Sequence, residues 1–123
     1  MAETNVELAR RGWEAALRGD LHTLSDLLDP NVTWHAGDPS AEGSCRNRDE
    51  ALTFMRRVRS RTPRAELVDV LDAGEKVVVI TRGRDATEEP ARPSANVTTF
   101  RDGKAVEMVH YHSVDDALSA AGL

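Results

Sequence analysis

Two histidines separated by one residue, His110 and His112, are the side chains of this sequence best suited to chemistry. Imidazole is the group that changes charge nearest neutral pH, so such a pair can take up and return a proton. Both lie in an alternating run, Ala105 to His112, that follows another, Ser94 to Arg101, across Asp102-Gly103. Two alternating runs about an Asp-Gly dipeptide predict a β-hairpin. Strand side chains alternate faces, which puts Met108, His110 and His112 on one side and Val109 and Tyr111 on the other. On the partner strand Phe100 is the residue most strongly driven inward, and Asn96 and Thr98 share its parity. An imidazole beside an amide and a hydroxyl in apolar surroundings would move a proton at His110 and steady a developing oxyanion through Asn96 or Thr98. The same set also suits a hydrogen-bonded polar row without chemistry. His112, nearer the strand end, is expected at a rim or in a contact between copies.

Other candidates surround this pair. Trp34 and His35 point opposite ways in a short strand, Val32 to Ala36. Trp34 would make a flat cavity wall able to stack a planar ligand, with His35 at a sheet edge, or the reverse, since parity alone leaves the inward residue open. Trp13 belongs to the core stripe of the first helix and is placed to touch the same interior. Cys45 has no partner for an internal disulfide, and a buried small residue is the simpler reading than a nucleophile. Two inward histidines would admit a metal, but no third ligand has suitable spacing, so no metal and no cofactor is expected. Arg56, Arg57, Arg59, Arg61 and Arg64 are spread around the third helix without aromatic partners, which makes them a solvated face rather than a nucleic-acid surface.

The chain supports one core. Its 123 residues are 40% hydrophobic and 30% charged, with a formal net charge of −5, so a single domain over residues 1–123 is expected. Net negative charge opposes a nucleic-acid partner. No apolar run approaches a membrane span, and Met-Ala-Glu-Thr-Asn-Val-Glu lacks a signal pattern, so a cytoplasmic protein without a membrane partner is expected.

The elements that must position these residues follow from periodicity. Val6, Ala9, Trp13, Ala16 and Leu17 form one helical stripe, stopped by Gly19. Asp20 caps a second, shorter helix carrying Leu21, Leu24, Leu27 and Leu28, expected to end at Asp29-Pro30. After the Trp34 strand, residues 37–48 are turn-rich. A third helix starts at or near Asp49, buries Ala51, Leu52, Met55 and Val58, and ends at Pro63. The period then becomes two, and Glu66 to Leu71, Lys76 to Asp85, Ser94 to Arg101 and Ala105 to His112 are expected as an antiparallel meander. The tail from Asp115 to Leu123 adds a helical turn. Helices followed by a bent antiparallel sheet predict an α+β domain, a cone whose apolar interior is where small-molecule pockets form.

This order, together with Asp29-Pro30-Asn31-Val32-Thr33-Trp34-His35, Arg46-Asn47-Arg48-Asp49-Glu50-Ala51, Arg101-Asp102-Gly103-Lys104-Ala105-Val106-Glu107 and the Ala117-Leu118 tail, resembles the SnoaL-like branch of the nuclear transport factor 2-like superfamily. The resemblance spans essentially the whole chain. It implies a cone-shaped curved antiparallel sheet packed against three N-terminal helices, a ligand-binding pocket, and a homodimer formed through the outer sheet face that carries Tyr111. The branch includes polyketide cyclases and relatives of ketosteroid isomerase. In the cyclases the last strand brings an inward acidic residue where this chain has His110. The aspartate base of the isomerase has no match at Trp34, His35 or Ala36, with Asp38 slightly beyond, and its helix-one tyrosine has none on the Trp13 face. The Asp-Arg-Asp set of the related epoxide hydrolases does not assemble from Arg82, Arg84, Asp69 and Asp85. The resulting expectation is a small-molecule pocket of Trp13, Trp34, His35, Asn96, Thr98, Phe100, Met108 and His112, with His110 catalytic. Its partner would be a small apolar carbonyl compound, cyclised, isomerised or dehydrated by proton transfer. The alternative is a non-catalytic hydrophobic-ligand-binding or dimeric interaction module.

Overall fold

The computed structural model describes residues 4–35, 44–61, 66–82 and 93–123, and the side chains of 58–61 are not described. The first helix, α1 (Asn5–Arg18), begins where it does because Thr4 and Glu7 cap each other. The Glu7 amide donates to the Thr4 hydroxyl and the Thr4 amide donates to the Glu7 carboxylate, each at 3.2 Å. Gly19, at φ 76°, takes the left-handed conformation that closes the helix. Asp20 then caps α2 (Leu21–Leu27), accepting from the Thr23 hydroxyl at 2.8 Å and its amide at 3.1 Å. Those bonds, the hydroxyl first, hold its carboxyl below the ordinary carboxylate range.

Asp29-Pro30 does not end α2 as expected. The chain passes directly from Leu27 into β1 (Leu28–His35), and Pro30 lies within that strand. Proline is tolerated there because β1 is a sheet edge, where a missing N–H need not break a ladder. The helix α3 (Arg48–Arg61) starts one residue before Asp49 because Asn47 is the capping side chain: its Oδ1 accepts from the Glu50 amide at 2.9 Å.

The remaining strands are β2 (Glu66–Ala73), β3 (Lys76–Arg82), β4 (Ser94–Arg101) and β5 (Lys104–Tyr111), in sheet order β1-β5-β4-β3-β2. From β2 to β5 the pairing is the expected antiparallel meander. One pairing was not anticipated: β1 lies parallel to β5, with Trp34 opposite Met108. The predicted extension of β3 to Asp85 falls outside the described residues.

The two faces of the sheet are buried differently. On the inner face Val70, Val77, Val79, Phe100, Ala105 and Met108 join Leu28 and Val32 of β1 against Leu8 and Ala9 of α1, Leu27 of α2 and Ala51 of α3. On the outer face Val78, Ala95 and Val97 receive Ala117 of a fourth helix, α4 (Val114–Ala120), capped by Ser113. The expected terminal turn is thus a docked helix, and it packs against Tyr111, the residue assigned to the outer face. Two long-range bonds tie the ends of the cone. The Asn5 side-chain amide donates to the Gly74 carbonyl at 3.0 Å, and the Lys104 ammonium donates to the Asp26 carbonyl at 2.7 Å. A curved five-stranded sheet with three N-terminal helices on its inner side is the α+β cone expected from the resemblance. Among the described residues no helix is long and apolar enough to cross a membrane.

Phe100 is 6% exposed and joins the helices to the hairpin in the inner core. Phe100→Ala should lower stability by about 3–5 kcal/mol, read as the shift in a urea unfolding midpoint at constant slope.

Candidate functional site

The β4–β5 register assembles the site. Asn96 lies opposite His110 and Thr98 opposite Met108. Asn96 and Thr98 are each 3% exposed, so neither can rely on bulk water for hydrogen bonds. They satisfy one another in part: the Thr98 hydroxyl donates to Asn96 Oδ1 at 2.7 Å. That bond occupies the amide oxygen and makes Nδ2 the donor end of the Asn96 side chain.

Trp34 is held from both sides. Its strand pairs with β5, while its backbone N–H donates to the Cys45 carbonyl at 3.0 Å and its carbonyl accepts from the Cys45 N–H at 2.7 Å. The indole stacks at 4.1 Å on Phe54 of α3 and comes within 6.5 Å of the His110 ring. The His110 ring meets His112 at 5.1 Å, with the rings perpendicular. Burial, and secondly the neighbouring charge of His112, lowers the His110 pKa below its ordinary value. His110 is therefore a neutral imidazole at neutral pH, the form a general base requires. His112 is exposed.

A cavity of about 60 Å³ lies on the inner face of the sheet, beneath α1 and α2. Trp13, Met55, Phe100 and Met108 are among its walls, and Thr98 brings the one side-chain hydroxyl. Gly12 belongs to the same lining, and a Cβ there would stand 3.4 Å from a Leu27 methyl, so α1 and α2 approach closely at this point. The site therefore has two parts: an apolar cavity, and a polar row of Asn96, His110 and His112 beside it. Thr98 belongs to both.

Of the residues expected in the pocket, Trp13, Thr98, Phe100 and Met108 line the cavity. Trp34 and Asn96 adjoin it through register with Met108 and the bond to Thr98, His110 stands against both of them, and His112 meets the His110 ring. His35 does not join them. Its register partner is Val109, which puts it on the face opposite Trp34. There His35 Nε2 sits 3.8 Å from Glu107 Oε2, and Nδ1 is buried without a hydrogen-bond partner among the described residues. The parity left open by sequence is thus decided, with Trp34 inward. Met55, Gly12 and Leu24 also line the cavity. Met55 and Leu24 were read as core, because a cavity-lining stripe and a packed stripe have the same period, and Gly12 carried no such signal.

Cys45 is buried, and burial, then the Glu50 carboxylate, pushes its thiol upward against the opposing pull of Arg57, so it is not a thiolate nucleophile. Arg82 pairs with Glu66 at 3.7 Å; Asp38, Arg84 and Asp85 lie outside the described residues. No group of three or more potential metal ligands occurs among the described residues. Arg56 and Arg57 are exposed, and Arg64 lies outside the described residues.

The depressed pKa of His110 has a thermodynamic sign. An unfolded chain carries this group near 6.5 and the folded protein lower, so just below that pH the unfolded state binds more protons. The contribution favours folding above about pH 6.5 and is lost as pH falls through the window beneath it. Thermal melts of His110→Asn should show a shallower loss of stability between about pH 6.5 and 5 than wild type. An unchanged acid slope would mean that His110 is not held in its neutral form.

The sequence matches the family described as SnoaL-like domain over residues 9–108. Among solved structures it is similar to Bal32a from a soil-derived mobile gene cassette, with 25% identity, 94% of each chain covered and a TM-score of 0.74. An NTF2-like protein of unknown function from Burkholderia pseudomallei is 24% identical, covers 99% of this chain and 100% of its own, and has a TM-score of 0.71. A structure described as a candidate polyketide cyclase from Sinorhizobium meliloti shares the fold at 17% identity, 85% and 93% coverage and a TM-score of 0.69. No curated protein matches the sequence. With four-fifths of its length inside the family match, and with a fold shared with structures described as NTF2-like, the chain belongs to the SnoaL-like domain family.

Proposed function

We propose that this protein encloses a small, largely apolar carbonyl compound and transfers a proton at the carbon next to its carbonyl. The observation that carries the reading is the position of Thr98, which lines the apolar cavity and hydrogen-bonds the residue paired with His110. An apolar group held against Phe100 and Met108 would place its carbonyl oxygen toward the Thr98–Asn96 pair, where the Asn96 Nδ2 amide donates to the developing enolate. Neutral His110 accepts the proton and returns it at the same or another position, the elementary step of an isomerisation, a cyclisation or a dehydration. A cyclisation of the kind suggested by the Sinorhizobium structure's description would begin with that abstraction.

Size restricts the ligand. Pockets for drug-sized ligands span about 300–1,000 Å³. A cavity of about 60 Å³ instead matches a short alkyl group. Its apolar walls favour that group over water, since a buried water needs two to four polar partners.

A second reading, non-catalytic capture of a hydrophobic metabolite, is favoured by one observation: His110 is not among the cavity-lining residues. The two readings part at His110→Ala. In the catalytic reading, the variant keeps the thermal stabilisation given by a small ketone such as 2-butanone but loses at least about 100-fold in exchange of its α-protons with deuterated solvent. Exchange in the variant equal to wild type removes the catalytic reading and leaves the binding one.

A further inference from the structure

The proton-transfer reading leaves His112 without a task, although its ring contacts that of the proposed base. Its ring stands 5.1 Å from that of His110 and perpendicular to it, one residue beyond the end of β5 at Tyr111. The two differ in access to water: His110 is partly buried beside Trp34 and opposite buried Asn96, whereas His112 is exposed. Among the described groups around His110, Asn96 of β4 and Trp34 of β1 carry no charge at neutral pH, and Phe54 of α3 is apolar. Among the described residues, His112 is the neighbouring group whose charge, when it is protonated, acts on His110.

We propose that His112 is a proton relay, carrying protons between the sheltered base His110 and bulk water. The inference rests on the proton-transfer reading and assigns a second residue to it. In the forward direction the substrate C–H bond breaks, its electron pair stays on the enolate, and an N–H bond forms on His110. The resulting imidazolium passes one proton to His112 across the ring contact, directly or through one water, and His112 releases it to solvent. In deuterated water the reverse path delivers a deuteron to the carbon, and the net change is one C–H exchanged for C–D. Two imidazolium charges at this separation repel, so protonation of His112 helps to return His110 to its neutral form.

The relay acts through His110, so its test requires a readout that a merely structural role would not move. In α-proton exchange of 2-butanone, His112→Gln should lower the maximal rate about tenfold or more while leaving the half-saturating ketone concentration within about twofold. Added imidazole buffer should restore the rate to His112→Gln and leave wild type unaffected. His112 is exposed just beyond β5, and an unchanged melting temperature would confirm that the variant folds. Wild-type exchange that His112→Gln matches at every buffer concentration overturns the relay and spares His110. A slowed variant that imidazole does not rescue also overturns it, since His112 would then be structural. A wild type that exchanges nothing removes the proton-transfer reading itself, and the relay with it.

Discussion

One unpaired residue decides what faces the interior of this protein. In the β4–β5 hairpin, Phe100 pairs with Ala105 and Arg101 with Lys104 about the Asp102-Gly103 turn, yet Thr99 pairs with Glu107. Val106 is therefore left without a partner, a β-bulge, and every later pairing is displaced by one. Had the turn register continued, Asn96 would face Val109 and Thr98 would face Glu107, bringing a carboxylate against the apolar cavity. With the bulge, Asn96 faces His110, Thr98 faces Met108, and Glu107 points to the outer side, where its side chain is 47% exposed. Because side chains alternate with a period of two, a slip of one residue exchanges the faces completely. The polar row, the cavity wall and the docking surface for α4 all depend on that slip.

The turn beneath the bulge is equally specific. Asp102 at φ 53° and Gly103 at φ 79° both occupy the left-handed region, the conformation of a tight two-residue hairpin loop whose twist matches that of the strands. Aspartate tolerates this backbone better than most side chains, and glycine adopts it freely. Sequence and geometry agree here, which is why the hairpin and the helical stripes were legible from residue types alone. The burial of Phe100 implies that Asn96 and Thr98 face inward, and Met108 shares that face only because Val106 bulges. Alternation from Met108 onward is as expected, but the hairpin turn by itself implies the other register.

What sequence did not disclose has a common cause. The direct passage from Leu27 into β1 places Pro30 inside a strand, against the local preference of Asp-Pro to end a helix, and the sheet edge tolerates it. The parallel pairing of β1 with β5 joins residues some seventy positions apart, and no local period encodes it. That pairing is also what turns Trp34 toward His110 and sends His35 to Glu107. Each of these is a tertiary contact overriding or completing a local signal. The family resemblance foresaw the cone, while the chemistry of the last strand depends on this chain's own histidines.

The proposed chemistry requires that the apolar cavity and the His110 row act as one site. An NMR titration with 2-butanone tests it most directly, following the Met108 methyl inside the cavity and the His110 ring beside it. Both signals should move along a single binding curve with the same midpoint. Movement of the Met108 methyl with a silent His110 ring, or of neither, would contradict it.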